Sequence, residues 1–248
     1  MDKKNQVIDV LLTPINVIRH SGKIDVSIKK NGKYIETTQT YKRALDPDMS
    51  DFAIGFYEII YKDIFNTSEP ILSELDLLSS DAFAGDTMNT FNTIANKVPG
   101  AGSSRRQRTS MTDWPDYLQN YSLQYHCLAN FWILPMDVGR KIGNKYSKGA
   151  GGDYVDCFIH KLVGSFDDYK EKYNEYFKSF FKIDDFYTVH FIGDSYDNYE
   201  EAKTLSKYEP KKFVEVATEM MKIRANEISE SKHLDCLWEY FNKYGLFD

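Results

Sequence analysis

No stretch of this sequence approaches the roughly 18 continuous apolar residues that a membrane-spanning helix requires. No apolar run of signal-peptide length follows the opening Met1-Asp2-Lys3-Lys4-Asn5-Gln6, so the expected compartment is the cytosol, with no membrane partner. Cysteine is scarce. The three present, Cys127, Cys157 and Cys236, are odd in number and far apart, which fits neither a disulfide framework nor a paired CxxC zinc site. Cys127 and Cys157 sit among aromatic and aliphatic residues and read as buried free thiols. Positive charge is also in deficit. With 31 basic against 37 acidic residues the net charge is −6, which excludes a uniformly basic nucleic-acid-binding surface but leaves room for a local basic patch. There is no GxxxxGK[ST] phosphate loop, and Gly193-Asp194-Ser195 is not the GxSxG of a nucleophile elbow. Internal repeats and low-complexity tracts are absent too.

What the chain has is apolar and aromatic material. An apolar fraction of 42% and an aromatic fraction of 15% over 248 residues are enough to fill a core. The 18 tyrosines suit half-buried positions, with the ring packed and the hydroxyl reaching a partner. The expected fold class is α+β and predominantly helical, with a small N-terminal β-hairpin or sheet packed on a helical body. A single domain over residues 1–248 is expected: a β-rich part to residue 45, a central site-bearing part over 46–164, and a helical part over 165–248.

Within the first part, Lys23 to Lys30 and Lys33 to Gln39 flank Asn31-Gly32, the preferred two-residue hairpin turn. Ile24, Val26 and Ile28 alternate with polar residues, which predicts one buried face. Val7 to Ile18 is apolar but interrupted by Pro14 and reads as a strand or irregular segment. Asp46-Pro47-Asp48 reads as a helix start, with a buried helix over Phe52 to Phe65. Short helices are expected within 71–98, then a glycine-rich loop at Pro99 to Ser104. Asp113-Trp114-Pro115 should open a helix running through His126 toward Phe131, ended or kinked at Leu134-Pro135. A second glycine-rich loop covers 143–152. Helices are expected over Phe166 to Phe181, from Pro210 through Ile228 (the longest), and around Leu234 to Phe241 with Gly245 ending the last.

Three groups of residues could carry chemistry. In Gly85-Asp86-Thr87-Met88-Asn89-Thr90-Phe91, Asp86 is placed to cap a helix beginning at Thr87. Alternatively, Asp86 and Asn89 present oxygens to a metal or polar ligand. In Tyr125 to Pro135, His126 and Asn130 share one face if the segment is helical, either as hydrogen-bonded core residues or as a site pair. The run Arg105, Arg106 and Arg108, joined later by Arg140 and Lys141, offers guanidinium groups of the kind that contact phosphates; a solvated loop is the structural alternative.

The combination of GDTMNTF at 85–91, Trp114-Pro115 and HCLANFWILP at 126–135 resembles a family of bacterial proteins of no assigned activity. That family shares a GDTMN[ST]F-like box and a later His…Asn-Phe…Leu-Pro box, and the resemblance covers residues 79 to 161. It implies a bacterial source. Ala129-Asn130-Phe131-Trp132-Ile133-Leu134 is also similar to the second box of HNH-like endonuclease domains, with Asn144 and Lys148 standing for later positions. The first box departs from that pattern, holding Gly85-Asp86 where those domains carry histidine. The resemblance implies metal-dependent hydrolysis with a histidine general base beside a divalent ion. Here His126 would take the base role, Asn130 would orient it, and Asp86 with Asn89 would hold the metal.

Together these readings point to a bacterial protein acting on or binding nucleic acid or a nucleotide, of the metal-dependent nuclease type found among defence or toxin effectors. Two alternatives stay open. One is a non-catalytic interaction or oligomerisation module built on the tyrosines and amphipathic helices. The other is an enzyme acting on a small phosphorylated ligand in a closed pocket.

Overall fold

Asp2 starts the first helix by accepting the amide of Asn5 at 2.8 Å, and Lys3–Leu11 (α1) follows. Its buried residues, Val7, Val10 and Leu11, fall at three- and four-residue spacing, so one stripe faces the core. This corrects the expectation of a strand or irregular segment over Val7 to Ile18. Pro14 does not interrupt one element; it separates two, α1 and the strand Ile15–His20 (β1). The computed structural model describes residues 2–20, 23–30, 33–37, 47–61, 82–86, 114–135, 167, 183–193 and 209–247.

β1, Lys23–Lys30 (β2) and Lys33–Thr37 (β3) form an antiparallel sheet in the order β1-β2-β3. The β2–β3 hairpin closes with Lys30 opposite Lys33, as the two-residue Asn-Gly signal requires. Ile15 lies opposite Ile28, and both are buried, so this end of the sheet joins the core.

Pro47–Met49 makes a 3-10 turn rather than the start of a helix. The true cap is Ser50. Its Oγ accepts the Ala53 amide at 3.2 Å and donates to the Pro47 carbonyl at 2.7 Å, and Asp51–Ile60 (α2) follows. α2 buries Phe52, Ala53, Ile54, Phe56, Tyr57 and Ile60. The short helices expected over 71–98 give way, at Ala82–Asp86, to a strand (β4) paired antiparallel with Phe131–Pro135 (β5). Pro135 sits at the very end of β5, where a missing N–H costs least.

Asp116–Gln124 (α3) precedes β5, and Ile183–Val189 (α4), Pro210–Glu230 (α5) and Leu234–Lys243 (α6) complete the described elements. α5 runs from the expected proline, and its stripe of Phe213, Ala217, Met220, Ala225 and Ile228 is buried. α6 ends in a Schellman motif. Gly245, at φ 65°, donates to Asn242 O at 2.9 Å, and Leu246 donates to Phe241 O at 3.4 Å.

The two chain ends meet. α1 packs on α5 and α6, where Trp238 Nε1 donates to Gln6 Oε1 at 2.8 Å and the Trp238 ring stacks on Phe247. α2 packs on α6 through Phe52, whose ring lies 5.1 to 5.8 Å from those of Tyr240, Phe241 and Tyr244. The described residues form a mostly helical α+β protein with small antiparallel sheets, and their apolar side chains share one core. No helix among them is long and apolar enough to cross a membrane. Of the expected helix over Phe166 to Phe181, only Asp167 is among the described residues, and it is helical.

Candidate functional site

The segment from Tyr125 to Asn130 is not a continuation of α3. The helix stops at Gln124, residues 125–127 bend, Leu128–Asn130 make one 3-10 turn, and β5 begins at Phe131. The expectation that His126 and Asn130 share a helical face is therefore overturned. The physical reason lies in Asn130, which is fully buried and whose Nδ2 donates to the Tyr125 carbonyl at 2.7 Å. Its own amide donates to Cys127 O at 2.9 Å. These two bonds close the chain into a compact turn, an example of a side-chain amide competing with the helical ladder. The following Phe-Trp-Ile run is suited to a strand, and pairing with β4 supplies its backbone partners.

His126 stands at the start of this turn, half-buried. Its carbonyl accepts the Ile15 amide at 2.7 Å, which ties the turn to the first residue of β1. Its ring lies 3.9 Å from that of Tyr125 and 6.2 Å from that of Phe131, centroid to centroid. Cys127, next to it, is buried and in no disulfide, with Sγ 3.9 Å from the Met221 sulfur, as its apolar surroundings suggested.

Asp86 is the last residue of β4, and its Cα partner across the sheet is Phe131. The start of the GDTMNTF box, Gly85-Asp86, therefore pairs with Phe131-Trp132 in the middle of the HCLANFWILP box. Asp86 belongs to a strand, and any helix opening at Thr87 lies outside the described residues. So do Asn89, Arg105, Arg106, Arg108, Arg140, Lys141, Asn144, Lys148 and Cys157. Among the described residues no group of three or more His, Cys, Asp or Glu side chains could hold a metal ion.

A residue that was not singled out dominates the polar chemistry of this region. Arg224, in the buried stripe of α5, has no solvent exposure. Its Nη1 donates to the Ala129 carbonyl at 2.6 Å and to the Leu128 carbonyl at 3.5 Å. Its Nε donates to His190 O at 2.9 Å, and its Nη2 lies 3.2 Å from the Tyr61 hydroxyl. That hydroxyl is in turn 3.1 Å from His190 Nδ1, and the His190 ring meets Trp132 edge-on. One guanidinium thus joins the end of α2, the 3-10 turn and the residue that closes α4. Burial, and then the adjacent Arg224 charge, hold the His190 imidazole well below its ordinary value, in the neutral form. The signal was present in the sequence: residue 224 falls in phase with Phe213, Ala217, Met220 and Ile228.

Elsewhere, a groove of about 330 Å³ between α2 and α6 is lined in part by Glu58, Cys236, Glu239 and Lys243. It shares no residue with the turn at 125–130. No family model matches this chain, and neither a curated protein nor a solved structure does.

Proposed function

We propose that the chain binds and acts on nucleic acid or a nucleotide at the end of the β4–β5 pair. The observation that supports this reading is the register that sets Asp86 opposite Phe131, whose ring is 6.2 Å from the His126 imidazole. In this reading His126 is the general base that takes a proton from the attacking water. Asp86 and Asn89 would hold a divalent ion, which would supply charge stabilisation at the phosphoryl oxygens. Arg105, Arg106, Arg108 and Arg140 grip neighbouring phosphates. Asn130 holds the turn through its bond to Tyr125 rather than facing the substrate.

The competing reading is a non-catalytic interaction module. The full burial of Asn130 and the involvement of its amide in the fold favour it, because that residue then has a structural duty that needs no ligand. Incubating the purified protein with mixed DNA and RNA, with Mg²⁺ or Mn²⁺ and with EDTA, separates the two. The nuclease reading expects degradation that requires the ion and is lost in His126→Ala and Asp86→Asn. Absence of both degradation and binding in the wild type would reject it in favour of the module.

A further inference from the structure

The turn that carries His126 is short, and bonds from within it and from two other elements hold it. Within it the Asn130 amide donates to Cys127 O at 2.9 Å, the Asn130 side chain donates to Tyr125 O at 2.7 Å, and the Phe131 amide donates to Leu128 O. On its β1 side, Ile15 donates to His126 O at 2.7 Å. On its far side, the carbonyls of Leu128 and Ala129 both accept from the Arg224 guanidinium, and Leu128 O also accepts the Phe131 amide. The rigid fork of arginine fixes direction as well as distance, because its N–H groups lie in one plane at set angles. Nε and Nη2 are committed to His190 O and the Tyr61 hydroxyl, so the fork cannot rotate without breaking bonds to two other elements. Arg224, Tyr61, His190, Leu128, Ala129 and Asn130 are all buried, where each bond resists exchange with water.

We infer that Arg224 is a positioning residue: its guanidinium sets the conformation of the turn at 125–130 and thereby the placement of the His126 imidazole beside the end of β4. The role in activity rests on the nucleic-acid reading above; the structural coupling between Arg224 and His126 does not. Arg224 sits 95 residues beyond Ala129 and touches no substrate. It acts through two carbonyl oxygens. A residue serving only stability would lower the melting point and leave the folded-state environment of His126 unchanged. A positioning residue changes that environment in the folded protein.

The five histidines make this readable by NMR, with the His126 ring signals assigned through a His126→Gln variant. Arg224→Met keeps an apolar stem and loses every donor, while Arg224→Lys keeps the charge and donates without the fork. In the folded Met variant the His126 ring signals are expected to move and broaden, and in Lys to move part of the way. With nucleic acid and Mg²⁺, turnover should fall by about tenfold or more with KM little changed, as misplacement of a reacting group predicts. Lys should recover part of that loss. If Arg224→Met is too unstable to study, the Lys variant carries both measurements. Unchanged His126 signals in a folded variant would overturn the inference. A wild type that neither binds nor cleaves nucleic acid would overturn the functional reading alone, since the NMR comparison still decides the coupling.

Discussion

Two regions of this molecule contribute to one core and are held by different forces. On the α1–α2–α6 side, Phe52 sits among the rings of Tyr240, Phe241 and Tyr244, and the polar contacts lie at the rim. The rim ion pairs Lys3–Asp235 and Lys4–Glu230 join largely exposed side chains and add little stability. Around Arg224, a charged group lies in the core and joins three elements by hydrogen bonds to carbonyls and a hydroxyl. Aromatic packing is divided over many small contacts, and no single one is indispensable. A buried guanidinium concentrates its contribution in one side chain, because every acceptor it leaves behind loses its donor at once.

The largest test of that contrast is Arg224→Ala. It strips the guanidinium donors from the carbonyls of Ala129 and His190 and from the Tyr61 hydroxyl, removes one donor to Leu128 O, and leaves a cavity. A loss of about 3–5 kcal/mol is expected by urea unfolding. A cost of about 1 kcal/mol or less would mean that the centre tolerates rewiring and that the contrast is wrong.

A smaller effect probes the aromatic side. A Cβ placed on Gly55 would collide with the Tyr240 hydroxyl and come within 2.7 Å of Cζ. The ring cannot easily retreat, since it stacks on Phe52 and its hydroxyl donates to Phe52 O at 3.0 Å. Gly55→Ala should therefore cost about 1–3 kcal/mol despite the better helix propensity of alanine. Thermal melts of the variant decide it, and a stabilised protein would show that α2 and α6 slide apart at no cost.

The same contrast explains what could be read in advance. Where neighbours in sequence decide the structure, the reading held: the Asn31-Gly32 hairpin, Pro210 opening α5, and Gly245 ending α6. Where distant residues decide, it did not. His126 and Asn130 stand four apart, as helix partners do, and what converts the segment into a turn includes a guanidinium from α5. β4 has no strand signature of its own, and its identity depends on β5. The end of α4 makes a related point. It closes as α6 does, with Phe191 donating to Thr188 O at 3.2 Å and Ile192 to Tyr187 O at 3.0 Å. Yet the residue in the left-handed position, φ 56°, is Phe191 instead of glycine. That conformation costs a non-glycine residue about 1–2 kcal/mol, so packing has overruled local preference there. As for the site, Asp86 and His126 were legible as residues, whereas the strand register that sets Asp86 opposite Phe131 was not, and Arg224 was not singled out.

The smallest expected effect concerns acid, and it belongs to one of the two regions. Buried beside Arg224, the folded-state His190 takes up a proton only well below the ordinary range, whereas the unfolded chain takes it up near pH 6.5. Between those values the unfolded state binds more protons, so stability is full above pH 6.5 and declines as the pH falls through that window. The slope for one such proton approaches about 1.4 kcal/mol per pH unit. Urea midpoints measured from pH 7.5 down to 5.5 should fall in the wild type and fall less steeply in His190→Gln, which cannot take up the charge. A Gly55→Ala background should leave that difference between wild type and His190→Gln intact, because the α2–α6 contact contains no part of it. Equal slopes with and without His190 would place the acid response elsewhere and remove the polar centre's claim to be the pH-sensitive region.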